Sequence, residues 1–237
     1  MIHGIELLAN AAIGQVARLD CVADNITNVN TPGFKAVLLH FLEGNVIGGI
    51  SKGSPIQRPA TAVDCSPGNI RKTGNALDLA IEGKGFFAVQ TKAGVAYTRD
   101  GGFTLNENGE LVTLNGDYVL GRGGKIVIEG SDIQISENGL VSVDGNEVDA
   151  LKIVSFREPS ALARLSAGFY RNHDNLAGAE EEGNVRVQSG CLELSNVQVI
   201  KQMVEMINIQ RTFESYQKAI QTISEQDRLS TNRIGKL

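Results

Sequence analysis

Apolar residues recur at a strict three-four spacing from the start of the chain: Ile2, Ile5, Ala9, Ala12, Val16, Leu19, Ala23 and Ile26. This is a heptad seam on one helix face rather than a loose amphipathic stripe. Gln15, Arg18, Asp20 and Asn25 fall between the seam positions, as a polar flank requires. The spacing predicts a helix of about 26 residues, roughly 39 Å long at the α-helical rise. The seam stops at Asn28-Val29-Asn30-Thr31-Pro32-Gly33-Phe34-Lys35. Pro32 disfavours helical geometry at Thr31, and Gly33 accommodates the positive φ of a Pro-Gly turn, so a sharp exit is expected there.

A second three-four seam closes the chain: Val199, Gln202, Met206, Ile209, Phe213, Tyr216, Ile220 and Ile223. It predicts a helix from about Leu194 to Leu229, with Ser195-Asn196 as its cap. A further stripe, Val197, Ile200, Val204 and Ile207, lies on another face of its first half, so this helix needs at least two packing partners. The tail Ser230–Leu237 is expected to fray.

Between the helices the period changes to two. Ala36 to Phe41 reads as a short strand or a helical continuation, and Glu43 to Pro59 as a long connecting loop. Strands are predicted at Leu77–Glu82, Phe86–Thr91, Ala96–Arg99, Glu110–Leu114, Tyr118–Leu120, Lys125–Glu129, Ile133–Ser136, Leu140–Val143 and Leu151–Phe156. Asn108-Gly109, Asn115-Gly116, Asn138-Gly139 and Asp144-Gly145 are hairpin dipeptides that tolerate positive φ. Glu158–Leu165 reads equally as a short helix or an irregular connection, and Asp174–Asn184 as a solvated acidic loop.

The expected fold is mainly β with α: an antiparallel β domain inserted between N- and C-terminal coiled-coil helices that pack together. Its divisions are an axial helix and exit turn (1–35), a connecting segment (36–70), the β domain (71–180), and a return segment with the second axial helix (181–237). Alanines in the first seam bury little but allow close approach of neighbouring helices. With two seams on the last helix, apolar surface is left over for other subunits. The assembly interface is therefore expected at the first seam and at Val199, Met206, Ile209, Phe213, Tyr216, Ile220 and Ile223.

Composition narrows the function. Net charge is −5, from 22 basic and 27 acidic residues, so no basic footprint points to nucleic acid or an anionic membrane. Trp is absent and aromatics are 5% of residues, which argues against base-stacking platforms. No apolar run approaches the roughly 18 residues a spanning helix needs. The N-terminus lacks the layout of a cleaved signal peptide. Cys21, Cys65 and Cys191 fit neither a CxxC nor a disulfide framework and are expected as small buried hydrophobes.

No catalytic, metal or cofactor site emerges. Gly121-Arg122-Gly123-Gly124-Lys125 is followed by Ile126 and a strand, not by the Ser or Thr and helix of a phosphate loop. Gly83-Lys84-Gly85 is a turn entering a strand. His3, His40 and His173 share no ligand spacing, and Asp144-Gly145-Asn146 lacks the ordered pattern of a calcium loop. Asn25-Ile26-Thr27, a glycosylation-type triplet, lies within the seam helix.

Asn25-Ile26-Thr27-Asn28-Val29-Asn30-Thr31-Pro32-Gly33-Phe34-Lys35 closely resembles the N-terminal signature of bacterial flagellar rod and hook proteins. The resemblance continues through Gly85–Val89, Tyr97–Phe103 and Gly109–Thr113, and returns at Leu192–Val197 and Met206–Glu214. It departs at Asp24, where the family usually has Asn, at Thr27, where Ala is common, and at the basic end around Arg233 and Lys236. It implies a basal-body axial subunit, exported through the flagellar type III apparatus without a cleaved signal. Other rod and hook subunits and copies of itself would be its partners. The terminal helices would form the inner wall of a hollow rod, with the signature turn setting the exit angle of the first helix. Modest length and Val119–Ile126 favour a proximal-rod type over the distal one. The rival reading is a soluble β-domain binding or capping module whose helices form a self-contained bundle.

Overall fold

The computed structural model describes residues 2–44, 56–158, 162–166, 168–172, 178–181 and 185–234. The chain divides into two compact units. One comprises Met1–Thr27, Val37–Thr61 and Gln198–Leu237, the other Asn28–Ala36 and Ala62–Val197.

The first unit carries the two helices, α1 (Ile2–Thr27) and α2 (Val199–Ile234), and the two-stranded sheet of β1 (Val37–Gly44) and β2 (Ile56–Val63). The seam predicted α1 closely. α1 packs along α2 and against β1. Asn25 ties β1 to α1 with two bonds: its Nδ2 donates to Val37 O at 2.9 Å, and Val37 N donates to its Oδ1 at 2.8 Å. A side-chain amide thus completes the pairing of a strand's first residue. Arg18 lies over the Phe41 ring, 5.3 Å from its centroid. Ala36–Phe41 is therefore strand from Val37 on, and the strand β2 begins inside the segment expected as loop; residues 45–55 of that loop lie outside the described residues.

α2 starts at Val199, the first residue of its seam and five residues after the expected start at Leu194. It continues to Ile234, so Ser230–Ile234 is helical and only residues 235–237 of the tail lie outside the described residues. The expected cap is displaced because Asn196 has another task (below). The first turn instead closes on Gln198, whose carbonyl accepts from Gln202 N at 3.0 Å.

The second unit is a β assembly. In chain order its strands are β3 (Ile70–Lys72), β4 (Leu79–Glu82), β5 (Phe86–Thr91), β6 (Gly94–Thr98), β7 (Phe103–Leu105), β8 (Leu111–Thr113), β9 (Tyr118–Val119) and β10 (Ile133–Ile135). There follow β11 (Leu140–Val143), β12 (Asn146–Ala150), β13 (Ile153–Phe156), β14 (Ala163–Ser166), β15 (Phe169–Arg171), β16 (Ala179–Glu181), β17 (Arg186–Ser189) and β18 (Cys191–Glu193). Nine form one antiparallel sheet: β14-β15-β6-β5-β9-β8-β7 in order, with β13 bridging β5 and β16. β10-β11-β12, β4-β17 and β3-β18 form smaller sheets.

β5 is the pivot. Because successive strand residues face opposite ways, Phe87 and Val89 enter one apolar core with Leu79, Phe103, Leu111, Val119, Val141 and Val187. Phe86 enters a second with Val63, Val154, Phe156 and Tyr170. Edge-to-face ring pairs, the arrangement the ring quadrupole favours, fix both: Phe87–Phe103 at 5.1 Å and Phe86–Tyr170 at 5.7 Å between centroids. The Asn-Gly and Asp-Gly hairpins form as expected, with Asp144 itself at positive φ.

Four further expectations are corrected. Lys125–Glu129 is not a strand: Ile126 and Ile128 are buried in alternation, but only isolated bridges at Lys125 and Val127 tie the segment to neighbours. Alternating burial without a continuous ladder gives a strand-like pattern but no strand. Within Glu158–Leu165, Ala163 to Leu165 opens a strand rather than a helix, and within the acidic loop Ala179–Glu181 pairs with β13. The cysteines are half-buried rather than buried; the Cys21 thiol donates to Val37 O at 3.2 Å.

Candidate assembly site

The signature turn ends in a buried charge cluster inside the second unit. Lys35 follows Phe34, which is wholly buried and carries the Arg164 guanidinium 5.2 Å above its ring. From there Lys35 Nζ donates to Glu193 Oε1 at 2.6 Å and to Ser66 O at 2.7 Å. Arg99, just past β6, reaches Glu193 Oε2 from the other side at 3.2 Å. Its remaining guanidinium contacts include the carbonyls of Ile81 (3.2 Å) and Gly83 (2.5 Å). Side-chain exposures of Lys35, Glu193 and Arg99 are 1%, 3% and 4%.

Two cations thus share one carboxylate in a site closed to water. Such charges persist only when hydrogen bonds replace lost water, and here the carbonyls of Ser66, Ile81 and Gly83 accept from the two cations. Gly68 N adds a third donor to Glu193, 2.8 Å from Oε1. Burial pulls the Lys35 ammonium pKa below its usual value, with Glu193 opposing by charge and hydrogen bond.

The backbone closes around the same point. Gly33 N donates to Glu193 O at 2.7 Å, and Lys35 N to the Tyr170 hydroxyl at 3.2 Å. Gly33 has φ +65°, and a Cβ there would fall within the backbone of Arg99 and Asp100, so both conformation and space require glycine. Asn28 shapes the start of the turn: its carbonyl accepts from Thr31 N at 3.1 Å and its Oδ1 from the Thr31 hydroxyl at 3.3 Å. Asn30 is exposed, and Thr31 and Pro32 are half-buried. Asn196, the expected helix cap, accepts from Ala36 N (2.7 Å) and donates to Asp64 O (2.9 Å), while Asp64 N returns a bond to Ala36 O (2.8 Å).

Sequence reasoning named the turn but gave no role to Arg99, Glu193 or Tyr170, and gave Asn196 a different one, as a helix cap. A usable signal was present: Glu193 stands between Leu192 and Leu194, and Lys35 between Phe34 and Ala36. A lone charge in each of two distant apolar runs is what a buried pair looks like before folding. The arrangement holds the exit turn, β18 and the segment after β6 together by charge and hydrogen bonds.

The seam residues belong to the first unit. Ala9, Ala12, Leu19, Ala23 and Ile26 are half-buried, and Val16 is 43% exposed. On α2, Ile209 is buried, while Val199, Met206, Phe213, Tyr216, Ile220 and Ile223 are half-buried. The side chains of Ile2 and Ile5 lie outside those described. The second stripe is bare along α2: Ile200 is 81% exposed and Val204 and Ile207 about half, as is Met203, which the stripe did not include. Val197, placed in that stripe by spacing, precedes α2 and is buried. Leu7 and Ile13 of α1 are also exposed. No described helix is long and apolar enough to cross a membrane.

Three family models match along the chain: the flagella basal body rod protein model at residues 5–35, the flagellar hook protein FlgE/F/G D1 domain at 80–143, and the flagellar basal body rod FlgEFG protein C-terminal model at 188–233. Similar whole proteins include the flagellar basal-body rod protein FlgF of Caulobacter vibrioides, 35% identical over 227 residues and covering 92% of each chain. FlgF of Rhizobium meliloti is 34% identical, covering 90% of this chain and 89% of its own. FlgG of Bacillus subtilis is 34% identical, covering 88% of this chain and 90% of its own. With likeness of this extent at both helices, the signature turn and the β domain, the chain belongs to the flagellar basal-body rod protein family.

Proposed function

We propose that this chain is a non-catalytic axial subunit that assembles helically, with copies of itself and with other rod and hook subunits, through its terminal helices. The observation that carries the proposal is the exposed stripe Ile200, Met203, Val204 and Ile207 on α2, beside a seam that is itself only half-covered. Val199, Ile200 and Val204 line a shallow depression there with Gln198, Lys201 and Glu205. Contiguous exposed apolar surface marks an interaction site. An axial tube repeats head to tail, so its contacts are heterologous, and one subunit must carry two different faces. Two apolar faces on α2 meet that requirement.

In this reading the helices line the export channel and transmit torque, and the subunit reaches the basal body through the flagellar export apparatus without a cleaved signal. Its position is of the proximal-rod type, a choice resting on chain length and Val119–Ile126. The interface comprises Ala9, Ala12, Val16, Leu19, Ala23 and Ile26 with Ile2 and Ile5, together with Val199, Met206, Ile209, Phe213, Tyr216, Ile220 and Ile223. Imaging basal bodies from a strain carrying I200E/I207E tests this. The expected result is rods that stop short at a constant point, with subunit expressed at normal levels. Full-length rods would overturn the assignment of the stripe and leave the self-contained bundle as the better account.

A further inference from the structure

We infer that Glu193 makes the docking of the exit turn conditional on the docking of the return strand β18, so that these two segments close in a fixed order. The argument is one of charge. Glu193 sits on β18, Lys35 on the turn, and Arg99 on the framework following β6. With β18 in place and the turn absent, Arg99 and Glu193 form a neutral pair, with Gly68 N–H still donating to the carboxylate. With the turn in place and β18 absent, Lys35 and Arg99 would be two buried cations with no anion between them. The first intermediate is tolerable and the second is not, because a buried charge stripped of its partner is strongly destabilising.

Backbone bonds give the same order. Gly33 N donates to Glu193 O, and Ala36 N to the Asn196 side chain just beyond β18, so the turn docks onto groups the return segment supplies. The return strand has anchors independent of the turn: it pairs with β3, Cys191 N donates to Asp78 O at 3.1 Å, and Leu194 N to Asn69 O at 2.8 Å. The coupling itself is reciprocal, but the two half-docked states are unequal in what they leave unpaired. The turn without β18 leaves two cations, and β18 without the turn leaves a neutral pair. Residue 27 ends α1 and residue 199 begins α2, so this order governs the segments that lead into both helices.

Residue-resolved amide exchange on the full-length chain in dilute solution tests the proposal separately from any question of rod assembly. In K35M, Gly33 and Ala36 amides are expected to exchange roughly a hundredfold faster, while Cys191 and Leu194 stay within about tenfold of the parent. In E193Q both sets should accelerate, with Val89 and Val119 in the large sheet unchanged. Equal loss at the turn and at β18 in K35M would overturn the ordering, as would an undisturbed turn in E193Q. Should E193Q fail to fold, the asymmetry in K35M decides alone, since that variant keeps the neutral pair.

Discussion

Tyr170 shows how closely one residue is held. Its hydroxyl accepts from Lys35 N inside the second apolar core, and burial pushes its pKa from the ordinary 10.0 up to about 12. A group whose pKa is raised on folding contributes stability that is complete below the unfolded value and lost as pH climbs through the folded one. Unfolding free energy should therefore fall by about 3 kcal/mol between pH 10 and 12, at about 1.4 kcal/mol per unit. Ultraviolet titration of the phenolates should show a late step near pH 12 that Tyr170→Phe removes; burial raises Tyr97 as well, so late ionisation that is left in the variant belongs to that residue. A titration unchanged in the variant would refute the assignment. Asp100 makes a complementary case. Burial raises its carboxyl pKa, partly offset by the Gly102 N–H that donates to Oδ1 at 2.9 Å, while Asp78 adds to the rise. Its charge is thus a cost that sets in as pH rises above the unfolded value. Asp100→Asn keeps the acceptor, so denaturant melts should show the variant at least as stable as the parent at neutral pH. That advantage should vanish below the ordinary carboxylate range.

At the scale of elements, the exit turn and its flanking asparagine clamp are the most constrained. Asn25→Ala leaves the Val37 N–H without its side-chain partner and the Val37 C=O with the Cys21 thiol as its side-chain donor, at about 1–3 kcal/mol for the orphaned buried donor. Faster exchange of the Val37 amide and a lower melting temperature should follow. Pro32→Ala with Gly33→Val should release the turn, since any Cβ at position 33 collides with the backbone of Arg99 and Asp100. Rod assembly should then fail while the large sheet keeps its exchange protection; normal rods from this variant would contradict the turn's role. The helices and hairpins were legible because their signals are local: three-four spacing for α1, Asn-Gly for the tight turns. β3 and β16 were not, being three-residue strands specified by partners elsewhere in the chain, such as Leu192 opposite Arg71 and Val154 opposite Glu181. The start of α2 was misread for the same reason, since Asn196 looks like a cap but is claimed by Ala36 and Asp64. The charge cluster joins residues as much as 158 apart, a distance over which spacing says nothing.

For the whole molecule, the two units differ in how completely they cover their apolar residues. The β unit buries Phe87, Val89, Leu79, Val119 and Val141 to the point of zero exposure. The helical unit buries Val22 and Ile209 but leaves Leu7, Ile13, Val16, Ile200, Met203, Val204 and Ile207 in contact with solvent. Long helices derive most of their stability from tertiary packing of an apolar face, so these two are expected to gain their full stability only among neighbours. Residue-resolved hydrogen exchange of the dilute, unassembled chain is the most direct measurement. The account predicts fast exchange along α1 and α2 beside slow exchange at β5, β8 and β11. Helix amides as protected as those of β5 would contradict it.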